Sequence, residues 1–316
     1  MQRWHTLAAH YNHKYGCRVQ KIPLDAGASC PNRDGTLSSF GCTFCNANGS
    51  GSGRAKRGDS LLEQWNTLRA VYLRDDPNTR FIAYLQSFSN TYGPQKRLQQ
   101  LLQSVRSLPQ CFGVAVGTRP DCLDGPKLDT LAALNCDLWL ELGLQTAHNS
   151  TLKRINRGHT AADSEKAVRM AAQRGIAVCV HLMAGLPGED ECHFLQSLDW
   201  ALSLPIKGLK FHNVYVPNAT ALAAHYTAGL YHPLWRDAYI DMLCAALPRI
   251  PSRIVIHRLQ SDPAPRELLA PTWATDKRGL LGDLRRALGA RELWQGKSCD
   301  SPLVCPAVFF GAGGVS

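Results

Sequence analysis

The stretch CPNRDGTLSSFGCTFC, residues Cys30 to Cys45, places three cysteines at gaps of eleven and then two residues. Its reading decides what surrounds it. A structural zinc site wants four ligands, commonly a second CxxC or a histidine pair a dozen or so residues on. This chain has one CxxC and no histidine between Cys45 and His148. Zinc therefore stays open only through a distant or incomplete ligand set. A redox dithiol would use Cys42 and Cys45 alone, but their glycine and polar setting shows no helix start to lower a thiol pKa.

Three thiolates with a vacant fourth position suit a cubane iron–sulfur cluster in which one iron stays open to an outside ligand. S-adenosylmethionine (SAM) can chelate that iron through its amino and carboxylate groups. An electron from the cluster then breaks a carbon–sulfur bond to give a 5′-deoxyadenosyl radical. The usual pattern for such a site is CxxxCxxC with an aromatic before the third cysteine. Widening the first gap from three residues to eleven costs only about 1 kcal/mol of loop closure. The inserted PNRDGTLSSFG contains the turn formers Pro31, Asn32, Asp34 and Gly35, so it can bulge outward. Phe44 keeps the aromatic position, where it can pack on an adenine edge.

Outward from this loop, six almost unbroken apolar runs read as strands covered on both faces: 19–24, 81–86, 113–118, 138–144, 176–183 and 209–216. Helical segments alternate with them. In DSEKAVRMAAQRG, Asp163 is the expected N-cap, Ala167, Val168, Ala171 and Ala172 share a face, and Gly175 is the terminator. The alternation predicts α/β architecture, a parallel sheet with helices outside it, either open and doubly wound or a barrel. In both, reactive groups collect where strands end. The polar loops DAGASCPNRDG, SFSNTYG, RPDC, QTAHNSTLKRINRGHT, AGLPGED and PNATALA each follow a strand, so the cysteines share a rim with them. After Tyr231 the pattern changes to a helix, a strand at RIVIH, a proline-rich segment and a basic helix.

Twelve cysteines spread along 316 residues, with no apolar leader at the start and no uncharged run of membrane-spanning length, predict reduced thiols in a soluble, cytoplasmic protein. Cys136 and Cys179 sit in apolar runs and read as packing residues. The formal net charge of +10 favours an anionic partner, and residues 249–297 hold ten Lys and Arg against five Asp and Glu. A solvated basic surface that serves solubility explains the same charges equally well.

LDAGASCPNRDGTLSSFGCTFC, YLQSFSNTY, GTRPDCL, ELGLQTAHNSTLKRINRGHT, HLMAGLPGED, KFHNVYVPNATALA and LLAPTWATDKRGLLGDLRR occur in that order. Together they resemble the YhcC/YtqA-like family of radical SAM proteins, a branch similar to the elongator catalytic subunit. The resemblance implies a partial (β/α)6 radical SAM barrel, read here over 11–230; the changed pattern after it reads as a C-terminal α/β extension of the same domain over 231–297, and the tail, 298–316, has no clear period and no assigned structure. It implies Cys30, Cys42 and Cys45 as ligands of a [4Fe-4S] cluster. Gln86 and Ser87 stand where relatives place a Gly-Gly-Glu strand end that holds the methionine amino group; that signature is absent, so backbone carbonyls or Asn90 are the expected substitutes. Gln145 and Arg157 match positions that bind the ribose or methionyl portion of SAM, an arginine fork suiting a carboxylate. Leu186 in AGLPGE matches an adenine support, though the same residues make an ordinary strand-to-helix turn. Gly117 replaces the glutamate that elongator-like relatives carry.

Three residue sets stay open. Glu141 reads either as an inward polar contact or as a paired structural carboxylate. His159, His181 and His212 read as packing histidines before proton shuttles. Cys122 is either a substrate-side thiol or another buried cysteine. The expected function is reductive SAM cleavage for tRNA modification at a wobble uridine side chain, with an electron donor such as flavodoxin or ferredoxin. The alternatives are an oxidoreductase or maturase acting on a small molecule or protein, and, more remotely, a non-catalytic metal-binding protein. No acetyltransferase segment, RNA-binding β-barrel or second three-cysteine set occurs in the sequence, which favours one-cluster hydrogen abstraction over sulfur insertion.

Overall fold

Each of the six apolar runs forms a strand in the computed structural model, which describes residues 2–49 and 51–299. They are β1 (Val19–Leu24), β2 (Arg80–Leu85), β3 (Cys111–Thr118), β4 (Asp137–Gln145), β5 (Ala177–Ala184) and β6 (Gly208–Asn213). The last is shorter than its apolar run. Val216, read as the end of that strand, belongs instead to β7 (Val216–Pro217), which pairs antiparallel with β9 (Leu268–Ala270). The strand at RIVIH, β8 (Val255–Arg258), joins the main sheet beside β6. All seven strands run parallel in the order β1-β2-β3-β4-β5-β6-β8, so the chain is a seven-stranded half-barrel whose edges β1 and β8 do not pair. The extension read from the sequence thus supplies a strand to the sheet it was expected to follow.

Alternation along the strands sorts the side chains into two layers. Phe81, Ala83, Leu85, Val114, Val116, Leu140, Leu142, Val178, Val180 and Phe211 face the surrounding helices and form the main core. That layer is covered by α2 (Leu61–Asp75), α3 (Gln95–Arg106), α4 (Gly125–Ala132), α6 (Ala161–Ala172) and α7 (Glu191–Leu202), with a short α5 (Asn149–Arg154) between β4 and α6. Ile82, Tyr84, Ala115, Trp139, Cys179 and Val255 form the inner layer, closed from below by Tyr11 of α1 (Leu7–Tyr15). The Trp139 indole donates to the Tyr11 hydroxyl at 2.8 Å, and Tyr11 in turn donates to Asp137 at 3.2 Å.

Helix starts follow local chemistry. Asp163 is not the N-cap of α6: Thr160 is, its hydroxyl accepting from the Asp163 amide while the Asp163 carboxylate accepts from the Thr160 amide at 2.8 Å. The reciprocal bond needs a carboxylate three residues into the helix, a geometry worth about 1 kcal/mol. Gly175, at φ +73°, ends the turn as expected. Beyond the barrel, α8 (Ala221–Thr227), α9 (Arg236–Ala246) and α10 (Lys277–Ala290) are the remaining α-helices among the described residues. Among the described residues no helix is long and apolar enough to cross a membrane. The tail beyond Cys299 lies outside the described residues.

Candidate active site

The cysteine loop leaves β1 through Asp25, whose amide is held by the Gln64 side chain of α2 at 2.8 Å. Its eleven-residue gap closes on itself. The Gly41 amide donates to the Asn32 carbonyl at 2.7 Å and the Leu37 amide to the Pro31 carbonyl at 2.8 Å. The two ends of the insertion therefore meet, which brings Cys42 back beside Cys30 and leaves Phe40 at the tip, 91% exposed. Gly41 sits at φ +76° to make that return.

Two further clamps fix the loop. Arg33 donates to the carbonyls of Cys45 at 2.6 Å and Asn46 at 2.7 Å. From the other side of the mouth, the loop after α5 joins in: the Thr43 amide donates to the Ile155 carbonyl at 3.0 Å, Asn156 donates to the Gly41 carbonyl at 2.7 Å, and Asn32 donates to the Asn156 carbonyl.

Cys30, Cys42 and Cys45 open onto one cavity at the C-terminal ends of the strands, and Phe44, Gln86, Gln145 and Arg157 share its wall. Ser87 and Leu186 lie outside that wall. Ser87 is packed under Gly51, whereas Leu186 belongs to an apolar cluster with Leu152, Ile155 and Met183 on which Phe44 rests. Asn90, also buried, donates to the carbonyls of Leu85, Ser87 and Gly117 at 3.1, 3.2 and 2.9 Å. It shapes the loop after β2. Cys122 is buried against Ser89, away from the cavity wall, and burial pushes its thiol up to about 12.

Arg157 spans the mouth. It approaches the Cys42 sulfur at 3.5 Å, donates to the Gly143 carbonyl at 2.7 Å, and gives its Nε–H to His159 Nε2 at 3.0 Å. That last bond needs a neutral histidine with its proton on Nδ1. Burial, reinforced by the charges of Arg157 and Arg119, keeps it so by pushing the imidazole down to about 3. Gly143 leaves room for this arrangement, because a Cβ there would lie 2.6 Å from Gln145 Nε2 and 2.8 Å from Arg157 Nη2 and would displace both side-chain ends.

The floor beneath is polar. Glu141, fully buried, accepts from Lys21 at 2.6 Å and from both Lys210 and His181 at 2.9 Å. Glu141 points inward, on the cavity wall, and is a paired carboxylate. Burial alone would raise its pKa, but the two ammonium groups hold the carboxyl well below the usual range. Burial also pushes Lys210 down to about 8 and His181 to about 4. Lys210 and Arg33 escaped the sequence reading. The signal for Lys210 was present, a lone lysine inside the apolar run LKFHNV, since a charge in a doubly covered strand needs a partner.

Burial, and after it the neighbouring Cys42, raise the Cys45 thiol to about 11, so metal binding at Cys45 would release a proton. Among the described residues no three Cys, His, Asp or Glu are arranged to share a single metal ion. A cubane does not ask that of them, because each thiolate binds its own iron. Among the described residues, Ser89 Oγ and Arg119 Nη1 of the wall residues have no partner. Three thiols beside an open chamber with unused donors fit a cluster and a polar cosubstrate.

Comparison with known proteins agrees. Residues 36–201 match the model of the Radical SAM superfamily and residues 206–289 that of the Radical_SAM C-terminal domain. The chain belongs to the radical SAM superfamily, in its YtqA- and YhcC-like branch, and is an enzyme that uses a [4Fe-4S] cluster and SAM. It is 36% identical to YtqA of Bacillus subtilis over 94% of this chain and 92% of that one, and 34% identical to YhcC of Escherichia coli K12 over 93% and 94%. Elongator complex protein 3 of Saccharomyces cerevisiae is 26% identical over 58% of this chain, which spans only 33% of that protein. The fold is shared with an N-terminally truncated Elp3 of Methanocaldococcus infernus, at a TM-score of 0.68, 16% identity, and coverage of 87% of this chain and 63% of that one.

Proposed function

We propose that Cys30, Cys42 and Cys45 hold the cluster, that the chamber beside them binds SAM, and that the substrate is a tRNA nucleoside. The observation that carries the site is that three thiols and the Arg157 guanidinium open onto one cavity. Loaded in this way, the site supplies reductive carbon–sulfur cleavage and hydrogen abstraction.

The chain's own residues supply binding and orientation. Arg157 takes the SAM carboxylate with its fork, and His159 and the Gly143 carbonyl hold that fork in place. The amide of Gln145 meets the ribose or methionyl portion, Gln86 and the carbonyls tied by Asn90 face the amino group, and Phe44 packs on the adenine. Ser87 and Leu186 support these contacts from behind the wall. The tRNA reading is supported by the net charge of +10 and by the likeness to elongator proteins. A flavodoxin or ferredoxin is the expected electron donor.

Anaerobic reconstitution with iron, sulfide, SAM and dithionite tests the reading. It expects 5′-deoxyadenosine from the wild type and none from Cys42→Ala. Equal turnover by the two would overturn the site. For the substrate, bulk tRNA nucleosides from a deletion strain should lack one modification; an unchanged profile overturns the tRNA reading.

A further inference from the structure

The register between β6 and β8 slips by one residue: Leu209 pairs with Ile256, and Lys210 with Arg258. His257 is the extra residue of a β-bulge, so two consecutive side chains of β8 serve the barrel interior. His257 turns to the Lys21–Glu141 pair, its Nδ1 lying 3.2 Å from Lys21 Nζ. Arg258 lines a second chamber continuous with the first, the two sharing Phe44, Tyr84, Gln86, Gln145 and His181.

Arg258 differs from the other charged groups there. Glu141 is neutralised by Lys21 and Lys210, and Asp262, at the rim, is held by Lys277 at 3.2 Å. Among the described residues the Arg258 guanidinium has neither an ion pair nor a hydrogen-bond partner. Beside it, in the cleft left open between β1 and β8, both side-chain amide atoms of the buried Gln260 also lack partners. An unpaired buried amide is costly unless a ligand completes it, and the half-buried Arg258 beside it carries a charge that no carboxylate offsets.

We infer that Arg258 anchors an anionic group of the substrate, a phosphate or a carboxylate, with Gln260 at its flank. This rests on the proposed cluster and SAM site, because an anion held there leaves the rest of the substrate between Phe44 and His181, facing the cosubstrate. The planar fork of arginine matches both anions, and a net cation in a sheltered chamber selects for them.

Inorganic phosphate and acetate, titrated separately into the reconstituted enzyme and followed by nuclear magnetic resonance, test the inference. Saturable binding of at least one anion is expected. It should weaken at least tenfold in Arg258→Gln, recover in part in Arg258→Lys, and stay unchanged in Arg278→Gln, which removes an exposed charge. Tighter phosphate identifies a phosphorylated substrate, and tighter acetate a carboxylate. Equal binding by wild type and Arg258→Gln, both folded by circular dichroism, overturns the inference, as does a wild type that saturates with neither. A chain that takes up no cluster yet keeps Arg258-dependent anion binding would strike the cluster reading alone.

Discussion

Arg157 stands 3.5 Å from the Cys42 sulfur while its other amino group donates to the Gly143 carbonyl at 2.7 Å, so one guanidinium joins the cysteine loop to the end of β4. Substituting lysine keeps the charge but removes the fork. Arg157→Lys should retain iron but bind SAM about tenfold more weakly, the equivalent of one charge-assisted hydrogen bond of about 1.5 kcal/mol. Equilibrium dialysis of the reconstituted enzyme reads this directly. An unchanged dissociation constant would remove Arg157 from the SAM site.

Gly143→Ala separates site geometry from folding. The backbone there has an ordinary conformation that alanine tolerates, yet the new methyl collides with Gln145 and Arg157. SAM cleavage should fall about a hundredfold, in keeping with the penalty for displacing positioning groups by about 1 Å. The circular dichroism spectrum should not change. Retained cleavage would mean that these two side chains can move without harm.

Arg33→Ala tests the clamp on the third cysteine. Two charge-assisted bonds to the carbonyls of Cys45 and Asn46 disappear, which frees the loop locally but touches no core residue. Iron should be lost to a chelator roughly ten times faster than from wild type, with thermal stability nearly unchanged. Wild-type chelation kinetics would show that the insertion holds itself without Arg33.

Much of this architecture was legible because it rests on local rules. Six strands followed from apolar runs, and the rim loops from the polar segments after them. What escaped depends on tertiary placement. The RIVIH strand reads as a separate element, since nothing local says that Val255 will pair with Gly208. Asp163 stands directly before the apolar face of α6 and so mimics an N-cap, whereas the true cap, Thr160, is fixed by a reciprocal bond that sequence spacing alone leaves ambiguous. The cysteines announce themselves by spacing. Arg33 was hidden among turn formers, and its contacts exist only once the insertion folds back. Leu186 sits in a matching motif and Ser87 at a matching position, but both lie behind the wall, because position in a motif does not set side-chain depth.

The buried histidines give the stability a direction with pH. Burial pushes His181 down to about 4 and His257 to about 3, against 6.5 for an unperturbed imidazole. As pH falls below 6.5 the unfolded chain binds these protons while the folded chain does not, so stability is lost from about pH 6.5 downward. At pH 5 each histidine contributes a loss of about 2 kcal/mol relative to pH 7. Below 4.5 the depressed Glu141 carboxyl adds to the loss in the same direction. Urea unfolding of the apoprotein at pH 7 and pH 5 checks this, and a midpoint that does not drop at pH 5 contradicts it.

The slipped register at His257 also bears on how such a barrel can change. A substitution exchanges one inward side chain for another, but an inserted residue adds one without lengthening the sheet or disturbing its outer face. Leu209 still pairs with Ile256 against the helices, and Leu259 returns to the same outer core. Deleting His257 would therefore leave an unbroken ladder with Arg258 still facing inward, and would cost Glu141 a neighbour. In this half-barrel, indels at strand ends can renew the chemistry of the interior while the packing outside stays as it was.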